Sequence, residues 1–115
     1  MTPEARRAVA FIAGNLISGN GRAIYDYDKG GYIHFSGSVE GSVRLYDHQA
    51  RAHISGPAKQ FYHHGLSAHI SLDISGKSFK GYDYGSGSHF SGNVRSSNIT
   101  LYDYAVSKHF QYLLT

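Results

Sequence analysis

The residues of this chain that could do chemistry arrive as one short phrase, repeated five times. Its cleanest copies are Tyr82-Asp83-Tyr84 followed by His89-Phe90, and Tyr102-Asp103-Tyr104 followed by His109-Phe110. Tyr46-Asp47-His48 with His53-Ile54 keeps the same register, as does Tyr62-His63-His64 with His69-Ile70. Tyr25-Asp26-Tyr27 with His34-Phe35 is the phrase with two residues added to its middle. Phenol, carboxylate and imidazole are materials for acid–base catalysis, and Asp83 with His89 or Asp47 with His53 are the first candidate pairs. Imidazoles are also metal ligands. His48, His53, His64 and His69 form the densest group in the chain, suited by type to Zn, Cu or Ni. A third use is contact, because rigid tyrosines are favoured at binding surfaces.

The pattern ranks these uses. An active site seldom needs four copies of itself, whereas a residue present in every unit is normally what a repeat needs to fold. The metal reading meets an obstacle at the one place where the phrase breaks, since His63 stands where the other copies have Asp. Neighbours on a strand point to opposite faces, so His63 and His64 cannot both serve one ion. No carboxylate lies at diagnostic spacing from these histidines. The chain has no Cys, no Gly-x-Ser-x-Gly elbow and no glycine-rich phosphate loop entering a helix. The expectation is therefore a non-enzymatic binding or interaction module without a cofactor. Its face consists of Tyr25, Tyr27, Tyr46, His48, Tyr62, His64, Tyr82, Tyr84, His89, Tyr102, Tyr104 and His109, facing a sugar, a peptide or another copy of the chain. A plain alternative is that these residues only stiffen a sheet through cross-strand pairs. The enzymatic runner-up is a small hydrolase or lyase in which a repeat histidine works with Asp or Tyr.

Period-two alternation from Gly21 onward puts these residues on strands. In Asn98 to Tyr104, Ile99, Leu101 and Asp103 point one way, and Thr100, Tyr102 and Tyr104 the other. Phe35, Ile54, Ile70 and Phe90 join the aliphatic side, and His34, His53, His69, His89 and His109 join the tyrosines. Gly85-Ser86-Gly87-Ser88 and Gly65-Leu66-Ser67-Ala68 read as hairpin turns. Such four-residue turns would set Tyr104 against His109, Tyr84 against His89, His64 against His69 and His48 against His53. The aspartates then end the aliphatic face, where they can accept turn N–H groups. The copies begin at Tyr25, Tyr46, Tyr62, Tyr82 and Tyr102, spacings of 21, 16, 20 and 20 residues. Each copy is thus a hairpin.

The sequence predicts a mainly β fold, an antiparallel sheet of about five repeated hairpins of roughly twenty residues with short strands of the usual length. That sheet can be a barrel, a two-layer structure or an elongated array, and a parallel β-helix would share the period. In plan, short hairpins with Gly, Tyr and His every twenty-odd residues, the repeat resembles MORN repeats, although Tyr-Asp-Tyr is not that family's motif and the loop glycines vary. Residues 2–18 predict one amphipathic helix, capped by Thr2 and Pro3, whose stripe of Val9, Ile12, Ala13, Leu16 and Ile17 would dock on the sheet, leaving Arg6, Ala10 and Asn15 off it. The reading is one domain over 1–115, with hairpins over 22–115.

Bulk composition limits partners and place. With 115 residues the chain can bury a core without staples. A formal charge of +3, from 11 Lys and Arg that are scattered, does not argue for nucleic acid. Arg44, Lys80, Arg95 and Lys108 lie near aromatics but define no continuous basic groove. Nothing approaches the roughly 20 apolar residues of a membrane helix, and the N-terminal run lacks a signal-peptide cleavage site. A cytoplasmic location is expected, with an unknown ligand or protein partner and self-association through exposed edge strands as a possibility.

Overall fold

A computed structural model describes all 115 residues. Helix α1 (Pro3–Ile17) is followed by ten strands: β1 (Ala23–Asp26), β2 (Gly31–Val39), β3 (Ser42–Asp47), β4 (Ala52–Pro57), β5 (Gln60–His63), β6 (Ala68–Ser75), β7 (Ser78–Asp83), β8 (Ser88–Arg95), β9 (Asn98–Asp103) and β10 (Lys108–Leu114). Each strand is antiparallel to its neighbours in sequence, and β1 also pairs with β10, so the sheet closes into a barrel. Closure excludes the two-layer, open-array and parallel-helix arrangements. It also leaves no edge strand to template self-association, so the expected edge-to-edge route is absent.

The inward positions carry the aliphatic face: Ile33, Phe35, Val43, Leu45, Ile54, Phe61, Ile70, Leu72, Phe79, Phe90, Val94, Ile99, Leu101 and Phe110 are all buried. Helix α1 does not dock on one side of this sheet. Every residue from Ala5 to Gly14 is buried, and the helix touches β1, β2, β6, β8, β9 and β10, so it runs inside the barrel. The one-sided stripe is thus corrected: Arg6 and Ala10, expected to lie off the packed face, are enclosed. Small residues make the fit. Ala5, Ala8, Ala10 and Ala13 are fully buried, and a Cβ on Gly14 would come within 2.7 Å of Ile99 Cδ1. Phe11 stacks on Phe35 with ring centroids 4.2 Å apart. Thr2 caps the first turn as expected, its hydroxyl accepting from Ala5 N–H at 3.1 Å.

The hairpin register differs from the expected one by two residues. His109 faces Tyr102, His89 faces Tyr82, His69 faces Tyr62 and His53 faces Tyr46, while Tyr104, Tyr84, His64 and His48 begin the turns. A two-residue shift preserves faces, so tyrosine and histidine still share one side. The aspartate explains the shift. Asp26, Asp47, Asp83 and Asp103 each offer Oδ1 to the N–H two residues on, and Asp26 and Asp47 to the next N–H as well. A carboxylate reaches those groups only when the turn starts directly after it. All five turns end on a residue with positive φ, namely Gly30, Arg51, Ser67, Gly87 and Ser107, although only two of these are glycine.

Closure needs one irregularity. Between hairpins Phe35 faces Asp47, Ile70 faces Asp83 and Phe90 faces Asp103. By that rule Phe110 would face Asp26, but at the seam Asp26 faces Tyr112 instead. Tyr112 points inward by alternation with Phe110 and is fully buried, and the offset sets it opposite Asp26. Burial first, and the Asp26 carboxylate second, push its phenol well above the ordinary tyrosine range, against the opposing charge of Arg6.

Candidate functional site

The predicted binding residues all lie outside the barrel, at the end where the five hairpin turns gather. Each hairpin builds one cluster around a half-buried tyrosine. Tyr46 sits between His48 and His53, with centroids 5.0 and 4.8 Å away, and Tyr62 between His64 and His69, both at 4.8 Å. Tyr82 holds Tyr84 at 4.9 Å and His89 at 4.7 Å, and Tyr102 holds Tyr104 at 4.8 Å and His109 at 4.6 Å. In the first hairpin Tyr25 lies 4.9 Å from both Tyr27 and Tyr32. Most of these contacts are edge-on, the arrangement that aromatic quadrupoles favour. The five clusters form a belt. Tyr27, Tyr84 and Tyr104 are more than half exposed, and His48, His64, His89 and His109 are exposed as well.

Two features of the belt were not singled out in the sequence. Tyr32 replaces the cross-strand histidine in the first hairpin and is 57% exposed. A serine two residues after the histidine ties one hairpin to the next: Ser36 Oγ lies 2.5 Å from His48 Nε2, Ser55 Oγ 2.9 Å from His64 Nε2, and Ser91 Oγ 3.1 Å from the Tyr104 hydroxyl. The signal was legible as His-x-Ser in four of the five copies. The fourth such serine, Ser71, accepts the Tyr82 backbone N–H at 3.1 Å instead, which leaves Tyr84 outside the linkage.

The geometry separates the Asp–His pairs and groups no set of metal ligands, while it keeps each of His53, His69, His89 and His109 against a tyrosine. Asp47 and Asp83 point into the barrel while His53 and His89 point out, so the candidate acid–base pairs lie on opposite sides of the sheet. Of the candidate metal ligands, His48 and His53 flank the ring of Tyr46, and His64 and His69 flank that of Tyr62. No three His, Asp or Glu side chains are grouped to hold an ion.

Inside the same end, the aspartates close a second ring around the start of α1. Arg7 Nε donates to Asp47 Oδ2 at 2.9 Å, and both side chains are buried. Asp103 Oδ2 accepts from the N-terminal amino group at 3.2 Å and lies 3.6 Å from Arg6 Nη1. The Arg6 guanidinium also lies over the Phe110 ring, 3.8 Å from its centroid. His63 occupies the fifth position of this ring. It is fully buried, and neither ring nitrogen has a partner.

Burial holds the His63 imidazole below its ordinary value of 6.5; Asp47, Glu4 and Asp83 oppose that shift and Arg7 adds to it. Because the folded state binds the proton less well than the unfolded chain, the contribution of neutral His63 is complete above about pH 6.5 and is lost as pH falls below it. Urea midpoints measured between pH 7.5 and 5 should therefore fall for the wild type and flatten for His63→Leu, which removes the titrating group without leaving a polar atom dry. Identical slopes for the two proteins would refute this role.

The outward positions below the belt carry Arg44, Asp73 and Lys80, and no helix is long and apolar enough to cross a membrane. Comparison with protein-family models, with curated proteins and with solved structures returns no match. The resemblance to MORN repeats accordingly stays one of plan.

Proposed function

We propose that the protein is a non-enzymatic binding module that captures its ligand on the Tyr/His belt outside the barrel. The observation that carries this reading is the exposure of the belt. Ten aromatic side chains, two from each hairpin, surround the central tyrosines on the solvent side, while the core is filled without them by α1 and the inward aliphatic residues. Rigid amphipathic rings of this kind offer contact area at small entropic cost. With no strand edge available, self-association in this reading uses the belt. A cytoplasmic setting accords with a chain that has no cysteine.

Tyr84 separates this reading from pure sheet stiffening. Tyr84→Ala is expected to change stability by less than about 1 kcal/mol and to weaken capture of whichever ligand the wild type retains on oligosaccharide and peptide arrays. Thermal melts alongside the arrays read both effects, and sedimentation reads self-association. A large loss of stability in the variant, combined with no ligand retained by the wild type and no self-association, would return the belt to a structural role.

A further inference from the structure

The outer surface is not evenly smooth. A groove of about 780 Å³ lies across β6, β7 and β8, and one of about 570 Å³ lies across β2, β3 and β4. The two are the same groove in different repeats. Ser71, Lys80, Tyr82, His89, Ser91 and Tyr104 in the first correspond position by position to Ser36, Arg44, Tyr46, His53, Ser55 and His64 in the second. In both the residue two before the central tyrosine is a cation; a smaller groove of about 460 Å³ repeats the plan around Ser91, Tyr102 and His109 with Thr100 in that place. That position holds Arg44 and Lys80 in the second and fourth hairpins, but Ala23, Gln60 and Thr100 in the others.

Both cations are exposed and neither belongs to any of the four ion pairs in the protein. Arg44 faces Ser38 and Ser55 across the strands. Lys80 faces Asp73 and Ser91, and Asp73 forms no ion pair with it. The Arg44 groove offers a cation with no carboxylate in its lining, and the Lys80 groove a cation with Asp73 directly across the strands; each adds two serine hydroxyls, an imidazole and the ring of a tyrosine. An acidic group would be held by a charge-assisted bond to the cation, hydroxyl groups by serine and histidine, and an apolar ring face by the aromatics.

We infer that the two grooves are sites of one plan for an acidic saccharide, one carboxylated or sulfated sugar unit in each, the Arg44 groove binding it more tightly because Asp73 faces Lys80 in the other. The inference rests on the belt being a binding surface and names the class of ligand it takes. Single-stranded nucleic acid fits less well, since it calls for cations that follow a phosphate chain. Gln60 interrupts the line from Arg44 to Lys80.

Calorimetric titration with trigalacturonate and with a sulfated trisaccharide tests this, using maltotriose and oligo-dT as comparison probes. The wild type should bind at least one of the acidic sugars at two sites per chain, and which of them binds identifies carboxylate or sulfate as the recognised group. Arg44→Gln and Lys80→Gln should each remove one site. The double variant should bind about tenfold more weakly or worse, with an unchanged urea midpoint because both positions are exposed. Equal binding of maltotriose, two-site binding of oligo-dT in place of the sugars, no uptake of either acidic trisaccharide, or unaltered binding by the double variant would each overturn the inference. If the array ligand weakened by Tyr84→Ala is still held by the double variant, the belt stands as a binding surface and only the acidic-sugar assignment falls.

Discussion

Asp47→Ala is expected to destabilise the protein by about 3–5 kcal/mol, the usual result of leaving a buried charge without its partner. The carboxylate does two jobs at once. Oδ1 accepts the Gln49 and Ala50 N–H groups at 2.9 and 3.0 Å, which holds the second hairpin turn, and Oδ2 accepts Arg7 Nε inside the barrel. Without it Arg7, only 4% exposed, is left in the interior with an unanswered charge. Asp83→Ala provides the comparison. Asp83 accepts from Gly85 N–H and the Ser86 hydroxyl, both at 2.9 Å, and has no cation beside it, so about 1–3 kcal/mol should be lost. The pair Arg7→Met with Asp47→Leu should recover the part of the loss that comes from the buried charge and leave about the loss seen in Asp83→Ala, because the Gln49 and Ala50 N–H groups still lack their acceptor. Urea denaturation reads all three variants. Equal losses for Asp47→Ala and Asp83→Ala would mean that the ion pair contributes nothing beyond the turn.

Ala10→Asp should leave the chain unable to hold its fold. On a helix docked against one side of a sheet this position lies off the apolar stripe, and an aspartate there would be nearly neutral. Inside the barrel Ala10 is fully buried, and the cations one turn before it, Arg6 and Arg7, already face Asp103 and Asp47. Taking an unpaired charge out of water has an effective cost of several kcal/mol, comparable to the whole stability of an ordinary domain. Near-ultraviolet circular dichroism and a urea titration would report loss of the cooperative transition. A midpoint within about 0.5 kcal/mol of the wild type, the range of ordinary surface changes, would disprove the enclosed helix.

The contrast at Ala10 indicates what could be read before the structure. Strand alternation placed Leu101 inside and Tyr102 outside, because the side-chain period on a strand is fixed by the backbone itself. The aspartates were legible too, since a carboxylate at the end of an aliphatic strand next to a turn has few other partners. Hairpin register was legible only in parity. Shifting His109 from Tyr104 to Tyr102 changes no face, and only the reach of Asp103 to Ala105 N–H distinguishes the two. Closure left no local trace. The pairing of β1 with β10 joins Ile24 to Leu114, and no pattern within one repeat reports on a contact of that sequence separation. The helix followed from closure: its stripe of Val9, Ile12 and Leu16 was real, but Ala5, Ala8 and Ala10 on the remaining surface are small residues that suit enclosure as well as exposure. The grooves were hidden for another reason. Arg44 and Lys80 look like ordinary solvated cations until the register shows serine and tyrosine arranged around both in the same way.

The helix inside the barrel has a bearing on how many repeats the chain can carry. Ten strands spaced about 4.8 Å apart and tilted about 40° close at a radius of roughly 10 Å, close to the distance at which one packed layer sits on the next. An open array can gain or lose a unit by duplication and change only its length. Here a sixth hairpin would widen the ring by about 2 Å on every side and leave α1 loose within it, whereas a four-hairpin ring would have no room for the helix at all. Copy number is therefore under the control of the one segment that is not a repeat, and any lengthening of the hairpin series would require a bulkier helix to come with it.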